Sequence, residues 1–135
     1  MDYPHEPVHY GEGMAKKHSP RFLAIVEAAR SEISECSAAD LTALVENGAL
    51  VIDVREQHEF AAGHYSGAMH IGKGVIERDI EKHDFAQNDK LILYCGGGFR
   101  SAIAAKSLQD MGYSDVVSLW GGWRSILAEG LETTK

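Results

Sequence analysis

Lys90-Leu91-Ile92-Leu93-Tyr94-Cys95-Gly96-Gly97-Gly98-Phe99-Arg100-Ser101 passes from an unbroken apolar run into a glycine triplet, and the helical pattern Ala102-Ile103-Ala104-Ala105-Lys106-Ser107-Leu108 follows. An apolar run without polar alternation is what a strand covered on both faces requires. Strand, tight turn and helix in this order form half of a strand–helix–strand unit. Two further segments repeat the pattern. Ala49-Leu50-Val51-Ile52-Asp53-Val54 and Val116 to Trp120 also read as buried strands. Helical patterns at Glu56 to Ala62, Val75 to Lys82 and Arg100 to Met111 alternate with them, and Ala68-Met69-His70-Ile71 is a short extended piece. The alternation predicts an α/β fold with a central parallel sheet and helices on both faces.

Upstream, Ser19-Pro20 is a helix start: a side-chain cap precedes a ring already set at helical φ. Phe22, Leu23, Ile25, Val26, Ala29 and Ile33 then share one face, giving an amphipathic helix. That helix is expected to dock on its own domain rather than on a second copy, and the oligomeric state stays open. Ser37-Ala38-Ala39-Asp40 caps a short helix through Leu41, Leu44 and Val45, which Gly48 closes. Residues 1 to about 18 hold two of the three prolines together with His5, His9 and His18, lack apolar periodicity, and read as an irregular arm. The histidine spacing matches no compact metal site, so no metal is expected. The chain thus divides into an N-terminal arm and helix over 1–33 and a domain over 34–135.

With 135 residues, 44% of them hydrophobic, the chain can bury one core. A formal net charge of −7 argues against nucleic-acid and anionic-membrane partners, which usually leave a basic stripe. The two cysteines, Cys36 and Cys95, fit neither a disulfide framework nor a Cys-x-x-Cys motif, which points to a reducing compartment. The N-terminus has no apolar core of a signal peptide, so a cytoplasmic location is expected.

In open parallel sheets, ligands collect beyond the carboxyl ends of the strands. Cys95 stands at one such end, Asp53 and Arg55 at another, and Gly121-Gly122-Trp123 follows the third. A rigid strand would hold the sulfur, the glycines would let backbone N–H groups curl toward it, and the following helix would add the positive end of its dipole. Each favours thiolate over thiol, making Cys95 a candidate nucleophile. Asp53 and Arg55 point to the same side of their strand and are expected to pair as a brace. Trp123 reads as a packing lid, His64 and His70 as structural. Cys36 reads as a structural thiol, with a resolving thiol for Cys95 as the alternative.

The same residues resemble the rhodanese-like sulfurtransferases, of single-domain type, over Ser34 to Leu131. Val51-Ile52-Asp53-Val54-Arg55-Glu56, followed by Glu59-Phe60, Gly63-His64-Tyr65, Gly67-Ala68 and His70-Ile71, resembles the family's first signature. Tyr94-Cys95-Gly96-Gly97-Gly98-Phe99-Arg100-Ser101 resembles its active-site loop, and Val117-Ser118-Leu119-Trp120-Gly121-Gly122-Trp123 its closing signature. The resemblance implies that Cys95 carries sulfane sulfur as a persulfide. The donor would be small, such as thiosulfate, and the acceptor cyanide, a thiol or a protein. Gly96, Gly97, Gly98, Phe99, Arg100 and Ser101 would bind the anionic donor, with Asp53, Arg55 and Trp123 in support and no cofactor.

Three alternatives remain beside it. A phosphatase or arsenate reductase on the same fold would place five residues between Cys and Arg, whereas Cys95 and Arg100 enclose four. A dinucleotide loop would need a glycine where Ser101 stands. A non-catalytic docking or sulfur-carrier module would usually have lost the cysteine, which is present.

Overall fold

A computed structural model of the chain describes residues 18–135. The irregular arm expected at the N-terminus, with His5 and His9, lies outside them. Helix α1 spans Pro20–Arg30, and Ser19 caps it as expected, its Oγ accepting from the Phe22 N–H at 3.4 Å. Then come β1 (Ser34–Cys36), α2 (Ala38–Glu46), β2 (Leu50–Asp53), α3 (Gln57–Ala62), β3 (His64–Tyr65) and β4 (Met69–His70). The remaining elements are α4 (Ile76–Asp79), β5 (Lys90–Tyr94), α5 (Phe99–Asp110), β6 (Asp115–Leu119), α6 (Gly122–Ala128) and β7 (Thr133–Thr134).

Five strands form one parallel sheet in the order β1-β6-β5-β2-β4. The chain steps from β2 outward to β4 on one side and from β5 outward to β6 on the other. The β2–β5 pair is therefore the switch point, beyond whose carboxyl ends a crevice is expected. β3 and β7 pair separately as a short antiparallel ribbon.

Alternate residues of β5 feed two cores, as the two-residue period of a strand dictates. Leu91, Leu93 and Cys95 pack with Ile76, Ile80, Ala104, Ala105 and Leu108, on the side of α4 and α5. Ile92 and Tyr94 pack with Cys36, Leu41, Leu119 and Ile126, on the side of α2 and α6. Helix α1 lies on α5, with Val26 and Ala29 against Ala102 and with Phe22, Ile33, Phe99 and Ile103 around them. It docks on its own chain. Ile25, expected on the packed face, is instead 57% exposed.

The structure corrects three further local readings. Ser37 makes no side-chain cap; its hydroxyl donates to the Asp40 carboxylate at 3.2 Å. The helical pattern Val75 to Lys82 is broken into one α-helical turn, Ile76–Asp79, flanked by 3-10 turns at Lys73–Val75 and Ile80–Lys82. Gly121-Gly122-Trp123, which carried no helical reading, opens the seven-residue helix α6 with Gly121 as its N-cap, and both glycines have positive φ.

Candidate active site

Cys95 follows directly on β5, and its chain bends at once into the loop that leads to α5. The turn depends on Gly98, which has φ +98° and in whose place a Cβ would meet the Gly121 N at 3.0 Å and the Leu119 carbonyl at 3.2 Å. Gly96 and Gly97 are not in the left-handed region. Of the triplet, only Gly98 is needed for backbone conformation.

The bend aims donors at the sulfur. The Gly98 N–H lies 3.2 Å and the Ser101 N–H 3.4 Å from Cys95 Sγ. The thiol donates to Ser101 Oγ at 3.6 Å, and Ser101 Oγ shares a 2.8 Å hydrogen bond with Ser118 Oγ from β6. Both serines are fully buried. Fixed N–H dipoles around a buried sulfur stabilise negative charge there without titrating themselves.

Helix α6 holds the other side of the loop. Its Trp123 N–H donates to the Cys95 carbonyl at 2.7 Å and its Arg124 N–H to the Gly96 carbonyl at 3.2 Å. These two bonds satisfy carbonyls of the loop that the strand and α5 leave unpaired.

Above Cys95 lies a cleft of about 460 Å³ lined by Cys95, Gly96, Gly97, Phe99 and Arg100 from the loop and the start of α5. His18 and Phe22 come to it from the region of α1, His58 and Glu59 from α3, and Arg124 from α6. Arg100 Nη1 pairs with Glu59 Oε1 at 3.3 Å. Burial works against the Arg100 charge, but the Cys95 sulfur and the Glu59 carboxylate outweigh it and hold its pKa above the ordinary value. Burial likewise opposes ionisation of Glu59, yet the Glu56 N–H at 3.0 Å and Arg100 hold its carboxyl below the usual range. Glu59 thus closes the capping box of α3 and clamps Arg100 with the same oxygen.

The sequence-derived residues fall into three layers. Cys95, Gly96, Gly97, Phe99 and Arg100 line the cleft, while Gly98 and Ser101 sit behind the sulfur. Asp53, Arg55 and Trp123 lie outside that lining. Asp53 is fully buried and Arg55 is 4% exposed. The Arg55 guanidinium grips both Asp53 oxygens at 2.8–3.1 Å, donates to the Gly63 carbonyl at 2.7 Å, and stacks 4.6 Å from the Trp123 ring. Arg55 is thus paired with Asp53 outside the lining of the cleft, while its charge still helps to hold the Glu59 carboxyl in the lining below the usual range. Sequence reasoning did not single out His58, Glu59, Phe22 or Arg124 as cleft residues. Of these, only Glu59 belongs to a segment that resembles a family signature.

Cys36 is separated from this site. Its side chain belongs to the core on the α2 and α6 side, Cys95 to the core on the α4 and α5 side, with β6 standing between β1 and β5. Burial, reinforced by Asp40, pushes the Cys36 thiol up to about 12. Among the described residues no group of three or more His, Cys, Asp or Glu side chains is arranged to hold a metal ion. No helix of the described residues is long and apolar enough to cross a membrane.

Residues 37–129 match the model of the rhodanese-like domain. The chain is 39% identical over 98 residues to a thiosulfate sulfurtransferase GlpE of Pseudomonas fluorescens, covering 70% of this chain and 88% of the relative. It is 41% identical over 86 residues to the protein of the same name in Pseudomonas aeruginosa, covering 62% and 76%. Among solved structures, the polysulfide-sulfur transferase homodimer of Wolinella succinogenes superposes with a TM-score of 0.73 at 26% identity, over 84% of this chain and 87% of that one. A Rhodopseudomonas palustris protein of unknown function, described as a possible tyrosine phosphatase, superposes with a TM-score of 0.74 at 29% identity, over 90% and 100%.

Proposed function

The chain belongs to the rhodanese-like family, and from that premise we propose that it is a sulfurtransferase that moves sulfane sulfur from thiosulfate to a thiophilic acceptor through a persulfide on Cys95. The similarity to proteins named thiosulfate sulfurtransferase supports the reaction class. The observation that carries the role of Cys95 is the pair of backbone N–H groups, from Gly98 and Ser101, converging on its sulfur at the floor of a cleft that Arg100 borders.

In the first half-reaction the Cys95 thiolate attacks the outer sulfur of thiosulfate. A Cys95–sulfur bond forms, the sulfur–sulfur bond of thiosulfate breaks, and sulfite leaves with the bonding pair. Charge moves from the Cys95 sulfur to the terminal sulfur of the persulfide. Arg100, permanently cationic and steadied by Glu59, offsets the charge of donor and departing sulfite. In the second half-reaction an acceptor such as cyanide attacks the terminal sulfur; thiocyanate forms and the Cys95 thiolate is restored. Neither step requires a proton to be abstracted from the nucleophile once it is ionised, which fits a site with no histidine bonded to Cys95 among the described residues.

The four residues between Cys95 and Arg100 make a smaller ring than the five of phosphatases, and the ring's N–H groups already bond the sulfur itself. That favours transfer of one sulfur atom over binding of a tetrahedral phosphate. The test is intact-protein mass after thiosulfate treatment. Wild type is expected to gain one sulfur, lose it to cyanide and release thiocyanate, while Cys95→Ser gains none. No gain in wild type with thiosulfate would overturn this donor assignment.

A further inference from the structure

The cleft is larger than thiosulfate needs. Its volume of about 460 Å³ is roughly fifteen times a water molecule's share of the liquid. A small inorganic dianion at the sulfur would leave most of it empty.

Two guanidiniums border the bare backbone of the loop. Arg100 Nη2 lies 3.5 Å from where a Cβ on Gly96 would be, and Arg124 Nη1 lies 3.7 Å from where one on Gly97 would be. Neither glycine is demanded by its backbone angles. Their bare backbone leaves room in front of the two arginines. Arg100 is already committed to Glu59. Arg124 is half-buried and has no ion pair with any carboxylate among the described residues. A half-buried, permanently charged fork without a counter-ion among the described residues favours an anionic group on whatever enters.

The same cleft has an aromatic wall. The His18 ring lies 4.5 Å from the Phe99 ring and 5.2 Å from the Phe22 ring, centroid to centroid. Phe22 lies on α1, and both Phe22 and His18 precede residues 37–129, the region that matches the family model. Helix α1 is fixed in place by the buried Arg30, whose Nε bonds Glu35 Oε2 at 3.1 Å and whose guanidinium carbon stands 5.8 Å from the Phe99 ring. The wall is therefore built into the fold.

We propose that Arg124 binds the carboxylate of a small organic thiol that collects sulfur from Cys95, and that Phe22 and Phe99 hold the apolar body of that acceptor. This assignment rests on the reading of Cys95 as a sulfur carrier. The acceptor thiol loses its proton to solvent, and its thiolate attacks the terminal sulfur of the persulfide. A new sulfur–sulfur bond forms on the acceptor as the bond to Cys95 breaks, and Cys95 departs as thiolate. One cation that no carboxylate of the described residues pairs, beside an aromatic wall, selects one anionic group on an apolar body. A neutral thiol would leave Arg124 desolvated and unpaired.

The experiment compares 2-mercapto-3-phenylpropionate with its methyl ester as acceptors of sulfur from thiosulfate-loaded protein. The ratio of their kcat/KM values is expected to fall about tenfold in Arg124→Gln, the size of one charge-assisted hydrogen bond, and to recover in part in Arg124→Lys. Comparing the ratio between proteins cancels the intrinsic difference in thiol reactivity. A second arm uses no sulfur transfer: 3-phenylpropionate is expected to slow alkylation of Cys95 by iodoacetamide in wild type, with that protection lost in Arg124→Gln and Phe22→Ala. A ratio and a protection that are the same in wild type and Arg124→Gln overturn the assignment. Failure of thiosulfate to load Cys95 overturns the carrier reading instead, and the protection arm still decides whether Arg124 and Phe22 bind a carboxylate.

Discussion

The N–H of Trp123 donates to the carbonyl of Cys95 at 2.7 Å, so the first turn of α6 sets the position of the nucleophile's own backbone. The approach is close enough to require a glycine at the preceding position. A Cβ on Gly122 would stand 2.3 Å from the Cys95 oxygen and 2.9 Å from the Gly96 carbonyl carbon, at φ +53°. Both neighbours are backbone and cannot rotate away. Gly122→Ala is therefore expected to lower stability by about 2 kcal/mol or more and to cut thiocyanate formation at least tenfold, roughly the effect of displacing a reacting group. Thermal melting and the thiocyanate assay check both; a variant with wild-type melting would show that the contact between α6 and the loop is slack.

Gly97→Val separates cleft from fold. Gly97 is not at positive φ, and a Cβ there would make only ordinary contacts, 3.5 Å from the Phe99 ring and 3.7 Å from Arg124 Nη1. The rest of the side chain would occupy the cleft. The melting temperature is expected to shift by no more than about 2 °C, as for a surface substitution, while turnover with thiosulfate falls by about tenfold. Unchanged turnover would mean that donor and acceptor pass elsewhere.

Much of this was readable in the chain because it is carried by local pattern. The apolar runs ending at Val54, Cys95 and Trp120 gave three strands of the sheet, each one residue longer than the strand observed at that end, and the Ser19-Pro20 cap gave the start of α1. What escaped depends on contacts distant in sequence. Strand β1 is three residues, two of them polar, and exists because it pairs with β6. Helix α6 opens with two glycines, a poor helical signal, and is held by the loop it supports. Arg124 and Phe22 reach the cleft from opposite ends of the chain, so no local motif contains both. Arg55 shows the converse: its pairing with Asp53 follows from strand period, but its burial against Trp123 does not.

That burial makes the role of Asp53 testable. Asp53→Asn would leave the Arg55 charge without its counter-ion between the Tyr94 and Trp123 rings. The expected loss is on the order of 3–5 kcal/mol in urea unfolding. In conditions where the variant remains folded, turnover is expected to stay within about threefold of wild type, because Asp53 touches no reacting atom. Full stability with lost turnover would instead identify Asp53 as part of the chemistry.

Cys36 offers a test with the opposite pH direction from acid unfolding. Its pKa is raised from 9.0 to about 12 in the fold, by burial first and then by Asp40. The folded protein holds that proton more tightly than the unfolded chain, so the associated stability is fully present below pH 9 and is lost as pH rises toward 12. The folding constant is expected to fall by up to about tenfold per pH unit across that window from this group alone. Tyr65, Tyr94 and Tyr113, also raised by burial, add to the loss above pH 10. Cys36→Ala isolates the thiol, since the tyrosines remain: between pH 9 and 10 its stability should decline less steeply than that of wild type. At neutral pH the same shift keeps Cys36 protonated and slow to alkylate, so iodoacetamide should label Cys95 first in the native protein. Equal labelling of both thiols, or parallel alkaline unfolding curves for wild type and Cys36→Ala, would place Cys36 in a more solvated setting and reopen its part in sulfur transfer.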